Sequence, residues 1–131
     1  MKIKLSIFVA FVALFIVLAN TSASYAQDGQ ITGGYGDADV NDAEVIKTAK
    51  FAIKKGSKKE KAKVTLLSVK KARIQIVAGL NYEICLEIDV KKSGKQAVKQ
   101  YIKTVVYRNL KNVYSLTSWT VLKDLAECED S

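Results

Sequence analysis

The side chains that most often carry covalent or acid–base chemistry are sparse in this chain. Among 131 residues there is no histidine, and the cysteines are two, Cys85 and Cys128. Without an imidazole, Ser-His-Asp and Cys-His nucleophiles and His-metal sites are ruled out. Two cysteines fall short of the four ligands of a structural zinc site. Carboxylates are present, but Glu83, Glu87 and Asp89 fall on alternate positions of one stretch with Cys85 between them. That is one face of a strand, a solvated row rather than the facing acid and base of glycoside hydrolysis. Gly33-Gly34-Tyr35-Gly36 has the glycine density of a phosphate loop, yet no strand precedes it and no Lys-Ser/Thr follows it. The residues point to a protein that is not an enzyme, with no cofactor and no metal. The unusual chemistry lies elsewhere, in Gln75-Ile76-Val77-Ala78-Gly79, where apolar groups occupy what reads as a loop tip. Turns are normally built from Asn, Asp, Gly and Ser. Apolar groups at a tip gain by leaving water, so the stretch reads as a contact surface.

The elements that must position this tip are legible from periodicity. Val64 to Val77 and Leu80 to Val90 are rich in Val, Ile and Leu and read as two strands joined at Gly79, which takes positive φ without steric cost. The apolar phase of the first shifts around Lys70-Lys71, which predicts a bulge there. In the second, Tyr82, Ile84, Leu86, Ile88 and Val90 alternate cleanly. Val98 to Tyr107 and Tyr114 to Leu122 read as a third and a fourth strand, with turns at 91–95 and 110–112. Ahead of them, Val45, Ile46, Ala49, Ala52 and Ile53 form a helical stripe. Asn41 with Glu44 resembles a capping box, Lys54 and Lys55 suit a last turn, and Gly56 reads as the residue just past the helix. Phe51 falls outside the stripe. One helix followed by antiparallel strands predicts an α+β domain, its helix packed on the sheet.

Residues 1–26 read as a secretory signal peptide. Lys2 and Lys4 are followed by an apolar run from Leu5 to Ala19, and Ser24-Tyr25-Ala26 offers a cleavage site, with Ala23 as an alternative. The run is short for a membrane span, so no membrane association is expected after cleavage. Residues 27–40 are polar and glycine-rich and read as a flexible arm; residues 41–131 form the domain. Loss of Lys2 and Lys4 takes the net charge from +8 to +6. The excess is lysine, with Arg73 and Arg108 the two arginines, which argues against nucleic acid as a partner. Export with an even cysteine count predicts a Cys85–Cys128 disulfide. In a meander the strand of Cys85 is separated from the last strand by one other. The tail must therefore turn back across the face that carries Cys85.

Gln75-x-Val77-x-Gly79 resembles the first inhibitory loop of the cystatins, inhibitors of papain-like cysteine proteases. Leu67 to Ala72 resembles that family's central strand, Asn81-Tyr82 its next strand, Ala49 to Ile53 its helix, and Gly33-Gly34-Tyr35 lies at the family's spacing ahead of Asp42-Ala43-Glu44-Val45. The resemblance covers Gly33 to about Val121. It implies a cystatin-like fold, one N-terminal helix on a four- to five-stranded antiparallel sheet. It also implies a secreted (periplasmic, if the source is bacterial), monomeric, reversible competitive inhibitor of a papain-like protease. The implied wedge has three parts: the arm at Gly33 and Gly34, with Ile31 and Thr32 upstream; the first loop at Gln75, Ile76, Val77, Ala78 and Gly79; and a second loop at Asn109 and Leu110. Family members usually carry Pro-Trp in the second loop. This chain has no proline, and its one tryptophan, Trp119, falls in the last strand as a core residue. That departure and the lysine excess favour the alternative, a non-inhibitory module of the same fold that binds an acidic surface, a membrane or a protein partner.

Overall fold

Clean alternation over Tyr82–Val90 demands a strand with one dry face, and Gly79–Lys91 forms it, β3 of a five-stranded meander. The structure, a computed structural model, describes residues 33–130. The signal segment and the first part of the arm, including Ile31 and Thr32, lie outside the described residues. The elements are β1 (Tyr35–Asp37), α1 (Ala43–Glu60), β2 (Lys63–Val77), β3, β4 (Val98–Arg108), β5 (Tyr114–Leu122) and the short α2 (Ala126–Glu129). All neighbouring strands are antiparallel, in the order β1-β2-β3-β4-β5. The α+β class and the helix-on-sheet arrangement are as expected, with a fifth strand. Tyr35–Asp37 pairs with Gln75, Ile74 and Arg73, so the arm ends in an edge strand. Three residues are too few to show a period, and only the neighbouring strand supplies their partners.

Ile84, Leu86, Ile88 and Ile102 are fully buried beneath Val45, Ala49 and Ala52 of α1. Each such branched side chain contributes about 1.5–3 kcal/mol by leaving water. The small residues of the helix let it sit close to a curved sheet. Two irregularities in the β2–β3 pairing curve it: Leu67 and Lys70 are each left without a partner. The expected bulge at Lys70 is therefore one of a pair, and together they keep Leu66, Val69 and Ala72 turned toward the helix.

The helix differs at both ends from the sequence expectation. Asp42, not Asn41, is the N-cap: its carboxylate accepts from the amides of Glu44 at 2.8 Å and Val45 at 3.2 Å. Its negative charge also suits the N-terminal dipole. At the other end the helix passes through Gly56 to Glu60, and Lys61 caps it in the left-handed conformation at φ 51°. Gly56 is buried because the Trp119 ring lies across it. A Cβ there would fall 2.3 Å from Trp119 Cη2. The indole Nε1 donates to Glu60 at 3.0 Å, so the last helical turn exists to close over the tryptophan. Phe51, outside the main stripe, packs its ring 5.6 Å from that of Tyr114 on β5.

Cys85 and Cys128 are joined, with their Cα atoms 5.9 Å apart. The tail beyond β5 turns back as expected, and α2 lies over the sheet face opposite α1, where Lys71 Nζ donates to the Glu129 carbonyl at 3.3 Å. On this face two carboxylates of the row, Glu83 and Glu87, are paired rather than merely solvated. Arg73 meets Glu83 at 3.2 Å, and Lys70 and Lys99 reach Glu87 at 3.0 and 3.3 Å. Hydrogen bonds from Lys70 and Lys99 hold the Glu87 carboxyl below its ordinary value.

Candidate functional site

The β2–β3 turn is as tight as a hairpin permits: Val77 faces Gly79 across the ladder and Ala78 forms the tip. Val77 and Ala78 are exposed, Val77 at 40% of its surface, while Ile76 is half-buried and Gly79 buried. Gly79 is glycine for two reasons. Its φ is +108°, and a Cβ would stand 2.3 Å from the Arg108 carbonyl oxygen and 3.1 Å from Asn109 Cα. The tip of the first hairpin therefore rests, backbone on backbone, on the end of β4, where the second loop begins.

Behind the tip, one row of side chains crosses the sheet in register: Tyr35, Gln75, Asn81, Tyr107. Gln75 is its hub. Its amide donates to the Gly33 carbonyl at 3.0 Å, and its carbonyl accepts from Asn81 at 2.9 Å. The Tyr107 hydroxyl donates to the Ala78 carbonyl. Gln75 thus ties the arm to the first loop, and Tyr107 ties the first loop to β4. Among the residues singled out beforehand, Gly33, Gln75, Ile76, Val77, Ala78, Gly79, Asn109 and Leu110 come to one end of the sheet. Gly34 follows Gly33 there, half-buried.

The second loop runs between β4 and β5. Asn109 organises it with its own side chain, whose Oδ1 accepts from the amides of Lys111 and Val113, both at 2.9 Å. Asn112 turns the chain at φ 61°. Leu110 is left 79% exposed and Val113 58% exposed. Between the loops lies a shallow groove of about 300 Å³ lined by Ile76, Val77, Gly79, Leu80, Arg108, Asn109, Leu110 and Asn112. The result is an apolar edge with two protruding aliphatic tips and no charged group on the first tip. Among the described residues no cluster of His, Cys, Asp and Glu could hold a metal.

The charged group in this groove, Arg108, is paired. Arg108 donates to Glu44 at 2.7 Å, and the Tyr114 hydroxyl donates to the same carboxylate oxygen at 2.9 Å. The Tyr114 bond, with Lys47 and Arg108 nearby, holds the Glu44 carboxyl below its ordinary value against some desolvation. This cluster joins the N-terminal turn of α1 to β4 and β5 beside the second loop. Sequence reading missed Tyr107, Asn81 as a partner of Gln75, and Val113. Tyr107 and Asn81 carried no local signal, because their roles depend on cross-strand register. Val113, an apolar residue in a turn, carried the same signal as Val77.

Comparison with known proteins bears on this edge. The family model of SQAPI, described as aspartic acid proteinase inhibitor, matches residues 38–122. L-cystatin of Tachypleus tridentatus is 36% identical over 88 residues, covering 66% of this chain and 62% of its own. The chain belongs to the cystatin family. SQAPI is itself a cystatin-like family. Cysteine proteinase inhibitor 6 of Arabidopsis thaliana is 33% identical over 94 residues, covering 67% of this chain and 40% of its own. The chain thus spans less than two thirds of the length of these two relatives. The crystal structure of a salivary cystatin from the soft tick Ornithodoros moubata superposes with a TM-score of 0.59 at 27% identity, covering 70% of this chain and 99% of the tick protein. Cystatins are protease inhibitors, not enzymes. Among the described residues no helix is long and apolar enough to cross a membrane.

Proposed function

We propose that this cystatin is an exported, monomeric, reversible and competitive inhibitor of papain-like cysteine proteases, released when residues 1–26 are removed. The observation that carries this reading is the exposed Val77 tip braced by Gly79 against the second loop. An inhibitor needs no reactive group, only a rigid shape that fills a cleft. A hairpin already ordered by Gln75 and Tyr107 loses little entropy on docking. In this reading Val77 is the apolar anchor at the catalytic cysteine, Leu110 flanks the other side of the cleft in place of the usual tryptophan, and Gly33 and Gly34 lead the arm along the subsites.

A second reading is favoured by one observation. The family model that spans residues 38–122 is described as an inhibitor of aspartic proteinases, which would make the target an acid protease. The Gln75-x-Val77-x-Gly79 tip and the relatives named cystatin and cysteine proteinase inhibitor support the first.

Steady-state inhibition of papain and of pepsin, each at several substrate concentrations, separates them. Papain inhibition that is relieved by substrate, and is weakened at least tenfold by Val77→Glu, is the expected result. Val77 is exposed, so this change tests the contact without disturbing the fold. Pepsin inhibition alone supports the second reading. Inhibition of neither leaves a non-inhibitory binding module.

A further inference from the structure

The end of the molecule away from the loops has a chemistry of its own. Helix α1 begins beside the second loop, where Glu44 meets Arg108, and runs from there to Lys61. At 100° per residue, Lys50, Lys54, Lys58 and Lys61 lie within an arc of about 80°. All four are exposed. They form a line about 16 Å long on the solvent side of the helix. Past the helix end further lysines follow, but on the sheet face that α1 does not cover, because the neighbouring pair Val64 and Val90 is buried beneath the helix. Lys61 is two residues from Lys63, the first residue of β2, and Lys63 lies directly opposite Lys91 in the ladder. Lys92 and Lys95 follow in the adjoining turn, both exposed.

Three features set this surface apart from an ordinary solvated helix face. Such faces usually alternate the two signs of charge. Here none of these lysines has an ion-pair partner among the described residues. The carboxylate in their midst, Glu60, accepts from Trp119 instead. Second, the arrangement opposes folding: Lys50, Lys54 and Lys58 stand at successive i,i+4 spacings, and Lys63 faces Lys91 across the strands. Third, Lys61 occupies a left-handed cap position where glycine or asparagine is the favoured residue. A neutralising ligand would relieve the first two.

We propose that this lysine track is a binding site for a linear polyanion of the sulfated-polysaccharide class. The length of the track suits a chain of anionic groups rather than a single anion. Its ammonium groups are compact point charges on flexible stems, able to follow sulfates of varied spacing without the bidentate geometry that arginine supplies. The track has no arginine and no exposed aromatic ring on which a base could stack; Phe51 and Trp119 are covered by β5 and α1. This disfavours single-stranded nucleic acid. The site is independent of the inhibitory reading, because its residues stand apart from both loops.

The test uses the full processed protein and heparin as the probe, with titration calorimetry from about 50 to 200 mM salt. Two double variants remove the same charge: Lys54→Gln/Lys58→Gln on the track, and Lys111→Gln/Lys123→Gln away from it. Heparin should bind with an affinity that falls steeply with salt. The track variant should lose about tenfold in affinity and show a shallower salt dependence by about two ions, while the control loses less than about threefold. Circular dichroism of both variants should match the wild type. Equal losses in the two variants would reduce the effect to net charge and overturn the proposal. So would tighter binding of a single-stranded oligonucleotide or of phosphatidylserine vesicles than of heparin, or no heparin binding at the lowest salt.

Discussion

Gly79→Ala separates the architecture of the inhibitory edge from its contact surface. The new methyl group meets two obstacles. At φ +108° an L-residue is strained, which costs about 1–3 kcal/mol. Its Cβ would also stand 2.3 Å from the Arg108 carbonyl, a backbone atom held in the β4 ladder that cannot swing aside like a side-chain end. Either the hairpin tip lifts from β4 or the second loop retreats, and both break the hydrogen bond from Tyr107 to Ala78. That bond adds about 0.5–1.5 kcal/mol. The sum is about 1.5–4.5 kcal/mol, a large share of a domain's net stability. In a domain of this size it should lower Tm by roughly 10–20 °C. Differential scanning fluorimetry reads the stability, and papain inhibition well below the variant's Tm reads the edge. Val77→Ala is the companion. It introduces no strain, should leave Tm within about 2 °C, and should weaken inhibition through lost burial alone. A Gly79→Ala protein that melts with the wild type would refute the close packing of the two loops.

Gly56→Ala sets a helix-propensity gain of about 1 kcal/mol against a methyl group thrust into the Trp119 ring; overpacking and a disturbed bond to Glu60 should win, for a net loss of about 1–3 kcal/mol in urea unfolding, and a more stable variant would refute this. The pKa of Glu44 is lowered in the folded state, so its contribution to stability is full above its unfolded-state value and disappears as pH falls through the lowered folded value. Thermal melts from neutral to strongly acidic pH should show a gentler acid decline in Glu44→Gln than in the wild type. Replacing both Cys85 and Cys128 by Ala should cost about 2–4 kcal/mol, since the bond closes a separation of 43 residues; amide exchange should then rise in α2 while the β3–β4 core stays protected. Leu110→Trp should tighten papain inhibition about tenfold through slower dissociation, because an exposed aliphatic tip becomes a larger apolar anchor.

Local periodicity carried most of the architecture. The alternation from Tyr82 to Val90 could satisfy only a strand with one dry face, and Val45, Ala49 and Ala52 only a helix seated on it. The phase shift at Lys70 announced a bulge, and an apolar Ile76-Val77-Ala78 tip before Gly79 announced an exposed edge. These features are written in spacing, and spacing is local. What the tertiary structure alone decided are contacts between residues distant in the chain. Gly56 reads as a stop signal in every local respect, yet it lies inside the helix because Trp119, 63 positions later, needs its missing side chain. The arm reads as aperiodic, yet Tyr35–Asp37 is a strand because β2 offers it an edge. Gln75 stands out in the sequence as the head of Gln75-x-Val77-x-Gly79, but only the fold brings its two hydrogen bonds to Gly33 and Asn81. Gly79 read as a glycine for a turn; only packing shows that it is also a glycine for Arg108. A sequence states what each segment prefers, whereas the groups that meet across strands depend on register, which is settled when the sheet assembles.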